Sequence, residues 1–464
     1  MAQTLNFHPF EIQDRKHLLP YLTKRSLTCD RTFNNQFCWQ HHYHTTWAES
    51  DGWLVIRAYI NGERRAAYIP ISQDDTPDYT RIIPQMEADA AQLGLPLTLM
   101  GLTEPECALL QQQCPDTFVF DKNRDFADYI YRAEDLRSLK GRKFAQKRNH
   151  VNKFKSLFPQ FRYEPITNEN IGDCLRLEEE WIAQHPDDES ALAERTVIHN
   201  ALSHFEELEL LGGTLYVDDK LIAFSYGSPV NSSMFCTHVE KADIRYEGAY
   251  QMINQQFALH IPDNYTLINR EEDLGMPGLR KAKMSYEPVE MAYKTTALKL
   301  TSEMRDIIHV WGKCFGEDDP SVYQFLSRYH FGPCALTEKA DGHIVAMAFM
   351  IPCETAFGTG AYLYGVATLP EYRHQGISTR LVHRLLEQCR ESGAAFSFLI
   401  PGDTEVVRFY ERLGYRPTDT RPVFNCDMDL GTGDKEKDRI LVLPLTERFD
   451  LGALPETLEC SPLL

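Results

Sequence analysis

The segment Tyr364-Gly365-Val366-Ala367-Thr368-Leu369-Pro370-Glu371-Tyr372-Arg373-His374-Gln375-Gly376-Ile377-Ser378-Thr379 has the residue types and spacing to hold a polyanion. An apolar run ends at Ala367, Pro370 interrupts it, and Arg373-x-x-Gly376-x-Ser378 opens a stretch of helical periodicity. Glycine at 376 lets the backbone approach a phosphate without a Cβ, and the free N–H groups of a helix's first turn point at an anion. The helix dipole adds to that attraction. The pattern reads as a pyrophosphate cradle formed by Val366, Ala367, Thr368, Arg373, His374, Gln375, Gly376, Ile377, Ser378 and Thr379. The plain alternative is an ordinary strand-to-helix turn.

A second segment, Asp403-Thr404-Glu405-Val406-Val407-Arg408-Phe409-Tyr410-Glu411-Arg412-Leu413-Gly414-Tyr415, reads as a helix that Asp403 can cap. Together the two segments resemble the GNAT superfamily of acyl-CoA N-acyltransferases. The first is similar to its acetyl-CoA signature, with Ser378 where that pattern prefers Gly or Ala. The second is similar to its terminal helix, in which a tyrosine at the Tyr410 position serves as general acid for the departing CoA thiolate. Asp403 stands where that family usually has Asn. The resemblance implies acetyl-CoA or another acyl-CoA as co-substrate, no metal, and a small-molecule or peptide primary amine as acceptor. In such a reaction the backbone N–H of Val366 or Ala367 would polarise the thioester carbonyl. Glu354, Tyr364 and Glu371 are candidate general bases by neighbourhood, and a water relay is the alternative. For Tyr410 the alternative is a core aromatic with a satisfied hydroxyl.

Three further segments carry charge in a suggestive order. Lys140 to Lys155 contains seven Lys/Arg and no acid, with Lys143 and Lys147 on one helical face and Arg148 beside them. Arg245-Tyr246-Glu247-Gly248 repeats the Arg-x-x-Gly spacing at the start of a helix. Asn269-Arg270-Glu271-Glu272-Asp273 leads through Pro277 to Arg280-Lys281-Ala282-Lys283, a strand end, an acidic loop and a basic helix start. These three resemble a family of bacterial proteins related to the C-terminal domain of phosphatidylglycerol lysyltransferase, itself similar to the Fem peptidyltransferases, over about residues 1–295. The resemblance implies two GNAT-like folds and aminoacyl transfer from aminoacyl-tRNA. It marks Lys143, Lys147, Arg148, Arg245, Gly248, Asn269, Glu271, Asp273, Arg280 and Lys283 as a second candidate site, with tRNA as the partner of the basic helix. Two plainer readings compete: Glu271, Glu272 and Asp273 neutralise Arg280, Lys281 and Lys283, and the basic block pairs with Glu178-Glu179-Glu180 or Asp187-Asp188-Glu189.

The elements that must position these residues follow from periodicity. In the back part, helices are expected at Met304 to Trp311 and Ser321 to Tyr329. Strands follow at Cys334 to Leu336, His343 to Ile351 and Ala361 to Ala367. A helix from about Ser378 to Glu391 is next, then a strand at Ala395 to Ile400, a helix at Thr404 to Leu413 and a strand at Val423 to Met428. The front repeats the order with strands at Leu210 to Val217, Leu221 to Pro229 and Ser233 to Val239, a helix from Gly248 to His260, a strand at Tyr265 to Asn269 and a helix near Gly278. Trp53 to Tyr59 and Ala66 to Ile71 also read as strands. The expectation is an α/β chain of tandem GNAT-like modules, each a mixed central sheet flanked by helices. The divisions are 1–160 with the basic helix, 161–296, and 297–464.

Composition bounds the function. A chain of 464 residues is too long for one core. A net charge of −19 argues against general adhesion to nucleic acid or anionic lipid, so any polyanion site is a local patch. The longest apolar run, Ile344 to Ile351, is too short to cross a bilayer, and the first residues show no basic, then apolar, leader. A cytoplasmic protein is expected. The 12 cysteines form no Cys-x-x-Cys pair, and adjacent His41 and His42 near His44 point in different directions, so no metal is expected. The function these signals favour is acyl transfer from acyl-CoA to an amine. Its rivals are an aminoacyl-tRNA-dependent transferase working through the front part, and a non-catalytic CoA-binding regulator.

Overall fold

The computed structural model describes residues 4–24, 26–60, 65–183, 189–316, 322, 325–326, 335–426, 430–431 and 438–463. It divides into two compact units, Met1–Lys299 and Leu300–Leu464.

The first unit holds two sheets. In the first, Trp53–Ile60 and Arg65–Ser72 form a hairpin beside Thr46–Ser50, and Thr98–Leu102 continues the sheet. Period-two alternation sends Trp53, Val55, Ala66 and Tyr68 to one face, against Ile82, Met86 and Leu110 of the helices Tyr79–Gln92 and Glu104–Gln113. Leu54, Ile56, Ile69 and Ile71 face the other way, into a core shared with Ile198, Leu202, Phe224 and Tyr226 of the second-sheet layer. The last strand of the unit, Thr295–Lys299, returns to this first sheet and lies antiparallel between Thr98–Leu102 and Phe118–Asp121.

The second sheet runs in the order Glu290–Ala292, Asp128–Arg132, Leu267–Asn269, Met234–Ala242, Lys220–Pro229, Leu211–Val217, Arg162–Pro165. Helices Ala145–Leu157 and Ala249–His260 cover one face through Val151, Phe154, Met252, Ile253 and Phe257. Helix Ile171–Ile182 covers the other through Cys174 and Leu177. This layout corrects the division expected near residue 160. The basic helix packs on the second sheet because its apolar stripe is buried there, and the change of sheet falls between Asp121 and Asp128. The division expected at 297 falls inside the returning strand.

In the second unit the sheet order is Arg416–Pro417, Leu441–Pro444, Phe396–Leu399, Gly358–Thr368, His343–Thr355, Thr457–Pro462, Arg421–Phe424, with Ala335–Ala340 also paired to His343–Thr355. Helix Ser302–Phe315 starts at Thr301, whose side chain accepts from Met304 N. Helix Ile377–Glu391 buries Ile377, Leu381, Val382, Leu385, Leu386 and Cys389 along one stripe, at the place where a helix from about Ser378 to Glu391 is expected. The strands Leu441–Pro444 and Thr457–Pro462 were not expected. Of the expected helix Ser321 to Tyr329 only Val322, Phe325 and Leu326 are described, in helical conformation; Cys334 and the end of the expected strand at Met428 lie outside the described residues. Among the described residues no helix is long and apolar enough to cross a membrane, and every cysteine is a free thiol.

Candidate functional site

Strand Gly358–Thr368 carries the cradle motif to its place. It pairs with Phe396–Leu399 in parallel only from Gly360 to Tyr362, so among the described residues Leu363 to Thr368 have no partner strand on that side. On its other edge the register slips: Phe349 faces Tyr364 while Met347 faces Ala367, so Gly365 and Val366 together oppose one residue. This is a β-bulge, which leaves an extra residue unpaired and bends the strand. Gly365 is required there, with φ 56° and a notional Cβ 2.9 Å from the Trp311 ring. The bulge and the missing neighbour strand thus fall on the same stretch, around Val366 and Ala367.

The cradle itself is open. Arg373, His374, Gln375 and Gly376 are exposed, and Ser378 and Thr379 are half-buried. His374 and Gly376 both take left-handed backbone conformations, φ 63° and 72°. Helix Ile377–Glu391 begins at Gly376 with no side-chain cap, so the N–H groups of its first turn remain available. Ser378 Oγ hydrogen-bonds Thr368 Oγ1 at 2.8 Å, tying the helix start to the strand end. Arg373 Nε donates to Thr368 O at 3.1 Å, anchoring the guanidinium beside the opening. A Cβ at Gly376 would meet only Arg380 Nη1, at 3.7 Å. Within the chain, glycine is therefore needed for its positive φ and not for space.

Tyr410 lies on helix Thr404–Arg412, which Asp403 caps through Oδ1 to Val406 N at 2.8 Å. It packs in one cluster with Leu363, Val382, Leu386, Leu399, Tyr415 and Leu441, with Val366 against it, alongside the unpaired part of the bulged strand. Burial pushes its hydroxyl well above the ordinary phenol value, so it stays protonated. Among the described residues nothing hydrogen-bonds that hydroxyl, whereas the neighbouring Tyr415 hydroxyl meets Ser397 Oγ at 2.7 Å. Glu354 pairs with Thr359 at the far end of the hairpin. Nine residues of strand at about 3.3 Å each put it roughly 30 Å from Thr368, too far to act as base there. Tyr364 packs against Trp311 and Phe325, and Glu371 is exposed.

In the first unit the ten residues of the second candidate site do not form one site. Lys143 pairs with Asp135 at 3.4 Å, Lys147 Nζ sits 4.2 Å over the Tyr286 ring, and Arg148 donates to the carbonyls of Leu139 and Gly141. Glu178, Glu179 and Glu180 pair with Lys241, Arg195, Lys220 and Arg245 instead. The side chains of Asp187 to Glu189 lie outside the described residues. Arg245 binds Asp243, and a Cβ at Gly248 would lie 2.6 Å from His150 O. The Gly248 turn is thus covered by the basic helix and is a packing device, not a second open cradle.

The acidic loop splits in function. Asp273 is closed off by Arg280, Arg124 and Tyr129; burial opposes its charge, but these hydrogen bonds hold it well below the usual carboxylate range. Arg280 also binds Asp125, and Lys283 Nζ donates to the carbonyls of Arg270 and Glu272. Neutralisation therefore holds directly for Asp273 with Arg280, while Glu271 and Glu272 act on Lys283 through space without an ion pair to it. Glu272 joins a buried cluster in which Lys294 Nζ stands 2.8 Å from it, 2.8 Å from Asp128 and 3.1 Å from Asp30. Asn269 Nδ2 donates to Asp128 at 2.8 Å, and Cys29 Sγ lies 3.4 Å from Asp128. Burial works against the Glu272 charge, yet Lys294 draws it down to about 2; burial, with Glu272 and Asp30 close by, pushes Asp128 up to about 7. Lys294, Asp30, Asp128, Cys29 and His238 went unread in the sequence. Cys29-Asp30, Asp128, His238 and Lys294 lie in four separate segments, and only the returning strand brings Lys294 to Asp30.

Residues 24–298 match the family described as phosphatidylglycerol lysyltransferase, C-terminal, and residues 297–418 match the acetyltransferase (GNAT) domain. A solved conserved protein of unknown function from Bacteroides thetaiotaomicron is 38% identical, covers 64% of this chain and 100% of its own, with TM-score 0.61. An uncharacterized protein from Mycoplasmoides gallisepticum is 23% identical over 227 residues, 48% of this chain and 72% of the relative. The structure of L-PGS from Bacillus licheniformis is 15% identical, covers 63% of this chain and 92% of its own, with TM-score 0.45.

Proposed function

The chain belongs to the phosphatidylglycerol lysyltransferase C-terminal family through residues 24–298 and carries a GNAT acetyltransferase domain over residues 297–418, and from that premise we propose that it is an N-acyltransferase using acyl-CoA. The group moved is acetyl in the first instance, and the acceptor is a primary amine of a small molecule or peptide. The observation that carries this reading is the uncapped helix start at Gly376, tied through Ser378 to the end of a bulged, half-unpaired strand. The pyrophosphate of CoA docks on the first-turn N–H groups and beside Arg373. The thioester carbonyl lies along the unpaired edge, where the N–H of Val366 or Ala367 takes the developing oxyanion. A neutral amine attacks the carbonyl carbon, the proton of the resulting ammonium passes to a water relay, the C–S bond breaks as Tyr410 gives its proton to the leaving thiolate, and the Tyr410 phenolate is reprotonated from solvent.

Gly376→Asp tests the cradle by setting a carboxylate against the pyrophosphate. Calorimetry should find CoA binding abolished, while Gly376→Ala, with only Arg380 near its Cβ, binds with reduced affinity. Unchanged CoA affinity in Gly376→Asp would overturn the assignment. A second reading, aminoacyl transfer through the first unit, is favoured by the buried Lys294 cluster in the part that carries the lysyltransferase family match. It predicts tRNA retention at low salt, with log K falling by roughly 0.7–0.9 per phosphate contact for each tenfold rise in salt. Replacing Lys143, Lys147 and Arg148 by Ala should flatten that slope. Absence of tRNA retention at low salt removes this reading and leaves the first untouched.

A further inference from the structure

Three donor atoms of different chemistry converge in the first unit where strand Met234–Ala242 meets the loop after Leu267–Asn269. Tyr226 faces Val239 and Gly227 faces Thr237, so His238 is the bulged residue, without a partner across the strand pair. Its Nδ1 lies 2.9 Å from Glu271 Oε1, and Cys236 Sγ lies 3.7 Å from the same oxygen. All three donor atoms fall within 4.8 Å of one another. Ligands of one ion at bond lengths of about 2.0–2.3 Å stand roughly 3–4 Å apart, so these positions are close to a coordination shell. Glu271 is held at φ 55°, a conformation that non-glycine residues rarely take and that collects at functional sites.

Two of the three donors carry a further partner. His238 Nε2 meets Ser228 Oγ at 2.7 Å on the far side of the ring, and Asn35 Nδ2 donates at 3.0 Å to Glu271 Oε1, the oxygen that faces the other two donors. Asn35 is itself fixed by the helix that Thr32 caps. Ligating imidazoles and carboxylates carry such partners as a rule, because the partner sets the tautomer and the ring plane. The adjacent trio Cys29, Asp128 and Glu272 also converges, but there the Lys294 ammonium stands 3.2 Å from Cys29 Sγ and 2.8 Å from each carboxylate. That position already holds a cation. The first trio has no ammonium or guanidinium bonded to it among the described residues.

We infer that Cys236, His238 and Glu271 bind one divalent transition-metal ion per chain, and the sulfur, nitrogen and oxygen donor set selects Zn²⁺. The imidazole binds through Nδ1 as the Nε2–H tautomer, donating to Ser228 Oγ. The Cys236 thiol loses its proton to solvent on binding. Three protein ligands leave the fourth tetrahedral position for water or a substrate oxygen. This site is independent of the acyl-CoA reading, which concerns the other unit.

The test uses the full chain with any affinity tag removed, loaded with excess Zn²⁺ and desalted, with metal measured by plasma mass spectrometry. One equivalent is expected in the wild type and in Cys29→Ser, and none in Cys236→Ser or His238→Ala, each checked for folding by circular dichroism. Ser228→Ala should bind roughly 10- to 100-fold more weakly in competition with a chromophoric chelator. Replacement by Co²⁺ should give a thiolate-to-cobalt charge-transfer band in the wild type. That band is read without any variant and stays decisive if the variants fail to fold. A folded wild type with no more Zn²⁺ than His238→Ala, or with no thiolate band, overturns the site and leaves Ser228, His238 and Glu271 as a hydrogen-bonded chain.

Discussion

Replacing Tyr410 by Phe removes one oxygen from a buried ring, and it tests the catalytic role proposed for that oxygen apart from any part it plays in stability. The hydroxyl accepts and donates nothing among the described residues, so its loss breaks no internal hydrogen bond. Stability should therefore change by no more than about 0.5 kcal/mol. Turnover should fall roughly 10²–10⁴-fold, since the leaving thiolate loses its proton donor, with little change in KM for the acyl donor. Tyr415 supplies the control. Its hydroxyl donates to Ser397 Oγ, which in turn donates to Ala361 O, in a fully buried chain. Tyr415→Phe should cost about 1–1.5 kcal/mol and leave turnover nearly unchanged. The pH dependence has a definite sign. On the proposed role the protonated phenol is the active form and burial raises its pKa, so activity is lost through this group only as pH rises past the ordinary phenol value of about 10. The assay is release of CoA thiol to a chromogenic reagent over a panel of primary amines, beside denaturant titrations of both variants. A turnover loss under about threefold in Tyr410→Phe, or a stability loss matching that of Tyr415→Phe, would return Tyr410 to the core.

Two further predictions concern the first unit. Gly248→Ala sets a Cβ 2.6 Å from the His150 carbonyl at φ 88° and should cost about 2–4 kcal/mol in denaturant titration; a loss under about 1 kcal/mol would show that the basic helix does not pin this turn. Lys294→Met leaves Asp30, Asp128 and Glu272 buried without their counter-ion, costing about 3–5 kcal/mol at pH 7. Without Lys294, Glu272 would no longer be held down and Asp30 and Asp128, already raised, would titrate higher still, so the deficit against wild type should shrink as pH falls toward 5; a deficit that stays flat refutes the pairing.

What the sequence disclosed and what it withheld follow from range. Helix Ile377–Glu391 was readable because its stripe repeats within one element, and Asp403 because a cap acts on N–H groups three residues away. The cradle lay in consecutive residues. The bulge at Gly365 was hidden, since a bulge is a relation between two strands and no local pattern announces it. Lys294 was hidden more deeply, because its partners Asp30 and Asp128 lie in segments that are distant in sequence. Arg245-x-x-Gly248 misled for the same reason: the spacing is that of the cradle, and only packing shows that His150 covers it.

The returning strand Thr295–Lys299 also sets a schedule for synthesis. Until it emerges, Thr98–Leu102 and Phe118–Asp121 have nothing between them, and the first sheet is held open at its middle. At about 5–20 residues per second the ribosome takes roughly 10–35 s to pass from Asp121 to Lys299. Through that interval the nascent chain presents bare strand edges beside an unfilled slot, which makes it a client for chaperones and a hazard for pairing with a neighbouring nascent chain. Cutting the gene between the two sheets would leave that slot permanently vacant, so the first unit is one indivisible piece for expression as well as for folding.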